Sequence, residues 1–283
     1  MQTDISLIDV VQKKLDEGNI TLPVLNPVAM DLRMMLADDS YDPADAAELI
    51  EQDPALASQI LKMSNSAFFA GLRNVATVRE AIVRVGSQKV VDLVTAVAHQ
   101  ANFRSSNAQV ASYMKRLWEH AICCAGSARW IAQKTGHSNV AAEVFLGGMF
   151  HDIGELLLIK VLEEIQQEST DRILGTETLV LEVMDALHAN LGHDLLEQWN
   201  IPEQYCSVAR DHHDTSIPVS RGFAMVRLAD NVCDKLGVSL HPDETISLSS
   251  TPEAELLGLS EIQLAELEIH TEDAMSEFGV LPA

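Results

Sequence analysis

Aromatic side chains are scarce, with Phe, Trp and Tyr at 5% of 283 residues, and runs alternating apolar with polar residues are few. Sandwiches and barrels draw on both, so their shortage argues against a sheet protein. Cysteine is sparse too. Cys123, Cys124, Cys206 and Cys233 make no CxxC pair and no dense framework, so they read as reduced thiols of a cytoplasmic chain. Bases are the third shortage: 19 Lys and Arg stand against 42 Asp and Glu, a formal charge of −23. A surface of that sign repels phosphate backbones, so neither DNA nor an anionic membrane is expected as a partner. No apolar run reaches transmembrane length, and the acidic start MQTDISLIDV is no secretory signal.

Hydrophobic residues at 47% and charged residues at 22% give an ordinary globular composition with ample length for real cores. Helix-start signals recur. Asp42-Pro43 and Asp53-Pro54 set a capping acid before a proline at the first helical position. Thr77-x-x-Glu80 and Ser260-x-x-Gln263 are capping boxes that open apolar-periodic runs. Gly71, Gly86, Gly136, Gly175 and Gly237 fall where such runs stop. The expected fold class is all-α. Residues 77–98 read as two short helices hinged at Gly86-Ser87, the outline of a helix-turn-helix, but the chain's charge rejects DNA.

The expected organisation is an N-terminal helix over 1–19, a helical half over 20–105, a second half over 106–237 and an acidic helical tail over 238–283. Ser105-Ser106-Asn107 is the best internal boundary. The tail is acidic throughout, with ten acids and no Lys or Arg over 236–283. Residues 62–104 reverse the sign, with Lys62, Arg73, Arg79, Arg84, Lys89 and Arg104 against Glu80 and Asp92. That segment suits the acidic tail, an acidic partner or an anionic ligand, although a solvated helix face is the plainer account.

The second half carries the chemistry. Leu117, Ala121, Cys124, Ala128 and Ile131 trace an apolar stripe at helical spacing, and His120 points inward with it. The apolar run 140–150 ends abruptly in His151-Asp152-Ile153-Gly154, where a buried carboxylate needs a partner. His188 lies on the stripe of Met184 and Leu191, His212-His213 follow the run 205–210, and Asp230 shares a face with Val226 and Cys233. Singly, each has a structural reading as a core histidine, a cap or an exposed turn. Together, five of the ten histidines and two carboxylates occupy inner faces or helix ends within 111 residues. Imidazole and carboxylate without thiolate suit Fe, Mn, Zn or Ni. Seven ligands exceed what one ion needs, whereas a carboxylate bridging two ions roughly 3.5–4 Å apart uses them all. His99 is expected to cap its helix. His193 lies too far round the helix from His188 to share its ion, and His137, His241 and His270 sit in polar surroundings.

His120, His151-Asp152, His188, His212-His213 and Asp230 resemble the ordered ligand set of the HD superfamily of metal-dependent phosphohydrolases. The first half resembles a narrower group, the HDOD family of bacterial signalling proteins. Its marks are Leu22-Pro23, the run 50–56 (IEQDPAL), 63–67 (MSNSA) and 81–86 (AIVRVG), then His188-Ala-Asn-Leu-Gly192 and Trp199-Asn-Ile-Pro202. The resemblance spans about residues 20–230 and implies an all-α fold and a role in signal transduction.

By analogy with dinuclear HD enzymes, one divalent ion takes His120, His151, Asp152 and Asp230. The other takes His188, His212 and His213, with Asp152 bridging. Typical HDOD proteins have lost several of these ligands, and this chain keeps them. Two features depart from the cyclic-dinucleotide phosphodiesterases of the superfamily. Glu155 stands where they often carry a Lys, and His212-His213 run into Asp214-Thr-Ser-Ile-Pro218 with no Gly-Tyr-Pro signature.

Two functions are then in view. One is a regulatory module with a metal centre and an unidentified signalling partner docked on 62–104 or at the seam of the halves. The other is a phosphohydrolase acting on a phosphoester, with Asp152 central to catalysis. Arg116, Lys160 and Arg210 are its candidate phosphate holders, for each of which a surface role is the plainer reading.

Overall fold

The computed structural model describes residues 6–18, 20–23, 26–36, 42–65, 74–168 and 176–278. All regular elements among them are helices, as the sequence predicts. None is long and apolar enough to cross a membrane. Gly71, Gly175, Arg73 and the Ser66-Ala67 end of one motif lie outside the described residues. The chain divides into two compact units, Val24–Asn102 and the combination of Met1–Pro23 with Phe103–Ala283.

The smaller unit holds α2 (Pro27–Leu36), α3 (Pro43–Glu51), α4 (Pro54–Ser64), α5 (Val78–Val85) and α6 (Ser87–Gln100). The starts follow from the caps: Asp42 accepts from the amide of Ala44 at 2.8 Å, Asp53 from Leu56 at 3.1 Å and Thr77 from Glu80 at 3.1 Å. Gly86, at φ +89°, stops α5 and lets α6 begin at once. Ile50, Ile60, Ala81, Leu93 and Val94 close the core with almost no exposed surface. His99 stands in the last turn of α6, where its side chain is buried.

The larger unit begins with α1 (Leu7–Asp16), inside the expected 1–19 helix. A complete capping box between Ser6 and Asp9 starts it. Its axis is α7 (Ala108–Lys134), 27 residues and so about 40 Å long. Against α7 pack α8 (Ala141–Phe150), α9 (Ile153–Glu168), α12 (Arg221–Lys235) and α14 (Glu261–Phe278), while α10 (Glu177–Gln198) packs on α9 and on α11 (Glu203–Asp211). The short α13 (Pro252–Leu257) rests on α12. The acidic segment after Gly237 is part of this unit, and α14 buries Leu264, Leu267, Thr271 and Ala274.

Two glycines set how closely the site-bearing helices meet. A Cβ on Gly148 would lie 2.8 Å from the backbone of Ala125, so α8 rides on the middle of α7. A Cβ on Gly154 would collide with the carbonyl oxygen of His188, so the first turn of α9 lies against α10 at that residue. Both glycines flank His151-Asp152.

Candidate metal centre

Seven side chains from five places in the chain meet between these helices. His120 comes from the middle of α7, His151 and Asp152 from the turn joining α8 to α9, and His188 from α10. His212 and His213 follow the end of α11, and Asp230 lies on α12. They are all seven that the sequence singles out. Their ligand atoms fall into two groups, each spanning no more than 4.8 Å: His120, His151, Asp152 and Asp230, then Asp152, His188, His212 and His213. Asp152 belongs to both.

The histidines are oriented from behind. The Nδ1 of His120 donates to the carbonyl of Val238 at 2.8 Å, that of His151 to Gly148 at 2.9 Å, that of His188 to Met184 at 2.7 Å and that of His212 to Ala209 at 2.9 Å. A carbonyl only accepts, so Nδ1 carries the proton and a neutral ring presents its Nε2 lone pair forwards. Those lone pairs converge. Nε2 of His120 and of His151 are 3.1 Å apart, and those of His188 and His212 are 3.4 Å apart. Asp152 divides its oxygens between the pairs. Oδ2 is 3.1 Å from Nε2 of both His120 and His151, and Oδ1 is 3.1 Å from His212 and 3.8 Å from His188. Asp230 adds Oδ1 at 3.3 Å from His120 and 3.5 Å from His151.

Bare imidazole nitrogens and carboxylate oxygens at such separations repel unless a cation lies among them. Oδ1 of Asp152 is buried with no hydrogen-bond partner, the signature of an acceptor awaiting one. A metal ion fits this donor set. Protons are the alternative cation. Burial opposes charging His120 and His151, yet the adjoining carboxylates of Asp152 and Asp230 hold both rings well above the ordinary histidine range. Burial likewise opposes ionising Asp152, but His151, His120 and His212 hold it well below the usual carboxylate range. These buried His and Asp groups can therefore take a metal ion.

Above the centre opens a cavity of about 350 Å³. Beyond the centre's own residues its wall includes Glu155, Asp185, Asp234, Ser239, Leu240 and His241. Among the described residues, no Lys or Arg lines it. Burial, then the Asp152 carboxylate, pushes the Glu155 carboxyl well up, and burial, then Asp230, raises Asp234 to about 6.

Arg116, Lys160 and Arg210 are all absent from this wall. Arg116 pairs with Glu177 at 2.9 Å and donates to the carbonyl of Ser239 at 3.2 Å, and Arg210 forks onto Asp211 with two contacts of 2.9 Å. Residues from 234 to 241 were missed by sequence reasoning. His241 looks like one more polar loop residue, and only the fold turns it over the centre, 3.5 Å from Asp185. Asp234, one turn after Asp230 on the same face, was the signal that could have been read.

A model of the HDOD domain matches residues 22–215. An HDOD domain protein of unknown function from Geobacter sulfurreducens shares the fold with a TM-score of 0.76 at 20% identity, over 96% of this chain and 97% of that one. A Shewanella amazonensis SB2B protein, named as a candidate metal-dependent phosphohydrolase, gives 0.71 at 21% identity over 96% and 98%. A Marinobacter aquaeolei VT8 protein, named as a candidate signal transduction protein, gives 0.71 at 19% over 98% and 67%. At those identities the likeness concerns the fold alone. An uncharacterized protein of Treponema pallidum (strain Nichols) is 29% identical over 201 residues, 68% of this chain, which spans only 38% of that protein's length.

Proposed function

The chain belongs to the HDOD family, and from that premise we propose that it is a bacterial cytoplasmic signal-transduction protein, a regulatory binding module that retains a two-ion metal centre. One ion is held by His120, His151, Asp152 and Asp230 and the other by His188, His212 and His213, with Asp152 shared. Fe, Mn, Zn or Ni suits these ligands. The observation that carries the module reading is the wall of the cavity, in which, among the described residues, no Lys or Arg stands ready for a phosphoester. A signalling protein is the expected partner, docked on the basic segment 62–104.

One observation favours hydrolysis as a second reading: Asp152 serves both groups with separate oxygens, the arrangement of a bridge. When bound, two such ions polarise a phosphoryl oxygen and lower the pKa of water towards about 7. The chain's own part would be to hold the ring tautomers through Val238, Gly148, Met184 and Ala209 and to keep the centre in a recessed cavity.

Elemental analysis of the purified protein beside Asp152→Ala tests both readings. Near two equivalents of a transition metal, lost in the variant, with no phosphomonoester or phosphodiester cleaved by the wild type, is the result expected for the module. Cleavage that disappears with Asp152→Ala would establish the hydrolase instead. A wild type that holds no metal and refuses added Mn, Fe, Zn and Ni would end both.

A further inference from the structure

The cavity over the centre is shaped by charge as well as by volume. Its floor is made by five of the seven clustered residues, His120, Asp152, His188, His213 and Asp230. The rest of its wall includes Glu155 on the first turn of α9, Asp185 on α10, Asp234 near the end of α12 and His241 on the segment that follows, of which the exposed Asp185 and His241 mark its mouth. Glu155 is the telling one. Its side chain is 6% exposed, and it receives no hydrogen bond from any described residue. The nearby cationic candidate, Nε2 of His241, is 3.9 Å away, beyond hydrogen-bond reach and closer to Asp185. A buried carboxyl in such a wall stays protonated, and its ionised form is stabilised only when something entering the cavity supplies positive charge and a donor.

The charge balance indicates what enters. Two divalent ions would bring four positive charges to a cavity lined by five carboxyl groups, Asp152, Glu155, Asp185, Asp230 and Asp234, of which burial, then the Asp152 carboxylate, holds Glu155 well above its ordinary range. The other four suffice to balance the ions, so no surplus positive charge remains for an anion, and three of the five carboxyl groups lie outside the two ligand groups. The nearby Arg116 offers no help, being committed to Glu177 and to the carbonyl of Ser239.

We propose that this cavity binds a small organic cation, an amine whose ammonium group donates to Glu155 and Asp185 at the mouth while its body lies over the metal-binding floor. The cavity's size, about 350 Å³, suits a small molecule rather than a folded partner. The proposal rests on the binding-module reading and names the class of its ligand.

The test is calorimetric titration of the full-length protein, its metal content measured beforehand, with 1,4-diaminobutane, with the uncharged 1,4-butanediol and with inorganic phosphate. The diamine is expected to bind at one site, and the diol and phosphate to give no saturable heat. Glu155→Gln, which keeps the shape and removes the charge, is expected to weaken the diamine about tenfold or more, as loss of a charge-assisted hydrogen bond does. Asp185→Asn should weaken it in the same sense. Because Asp185 is mostly exposed, that variant folds even where Glu155→Gln does not. Metal content is expected to stay unchanged in both.

No diamine binding, equal affinity in wild type and variants, or phosphate bound in preference would each overturn the proposal. So would a third equivalent of metal that Glu155→Gln abolishes, since the mouth would then be a metal site. Absence of metal in the wild type would sink the two-ion reading alone. The diamine titration would still decide this one, because Glu155 and Asp185 lie outside both ligand groups.

Discussion

At the scale of single residues, the centre depends on groups that never touch an ion. His120 points Nε2 forwards because Val238 accepts the proton on Nδ1. The segment carrying Val238 is pinned in turn, for Arg116 donates to the carbonyls of Ser239 at 3.2 Å and Leu240 at 3.5 Å while Glu177 holds its other nitrogen. Arg116 is thus a positioning residue, and Arg116→Ala is expected to lower metal affinity about 10–100-fold with little change in the fold. Competition with a chelator measures it, and Arg116→Lys should recover only part, since one ammonium cannot span both directions. An unchanged affinity in Arg116→Ala would mean that Val238 needs no such support. The seven clustered residues were legible in the sequence because each is a polar group placed on an apolar stripe or at the abrupt end of one. Arg116 was not. From spacing it looks like a base one turn before His120 and ready for phosphate, and only the return of the chain after α12 shows what it holds.

At the scale of elements, helix boundaries were readable where chemistry marks them, and helix contacts were not. Asp42, Asp53, Thr77 and Ser260 all cap where their spacing says. Gly154, by contrast, reads as an ordinary glycine after a histidine-aspartate pair, and its reason appears only when α10 is brought against it. Gly154→Ala must push α9 away from His188 and so part Asp152 from the second group. The expected result is a loss of stability of about 1–3 kcal/mol, as overpacking typically costs, with a lower metal stoichiometry. Thermal melts and metal analysis would show it, and a fully loaded variant of wild-type stability would refute it.

A pH effect belongs to α6. Burial pushes the His99 pKa down from 6.5 to about 3. The unfolded chain therefore takes up this proton first as pH falls. Stability from keeping His99 neutral is complete above about pH 6.5 and is lost progressively towards pH 3. His99→Gln cannot titrate, so the wild type should lose stability more steeply than the variant over that window. Parallel urea-denaturation midpoints across it would contradict this assignment.

At the scale of the molecule, a net charge of −23 makes it tempting to explain the acidic tail by charge alone. Counting charge along the sequence separates the tail from the basic segment 62–104, but it says nothing of which face of the tail is apolar. The structure answers with packing. α14 lies along α7, where Leu267 and Thr271 are fully buried, Thr271 bonds Ser127 at 2.7 Å and Trp130 stacks on His270. Ion pairs do occur, Lys134 with Glu266 and Lys235 with Glu268. They are partly exposed, and such pairs are typically worth about 0–1 kcal/mol each. Emptying a buried leucine site costs more, about 2–5 kcal/mol. Leu267→Ala should therefore cost the unit that much, and the loss should be nearly the same at low and high salt, since screening acts on exposed charge and not on apolar burial. Glu266→Gln with Glu268→Gln should cost far less and should lose its effect as salt rises. If the leucine substitution proved mild and the charge substitutions severe at low salt, the tail would be held by its charge after all, and the acidic composition would be the reason it is there.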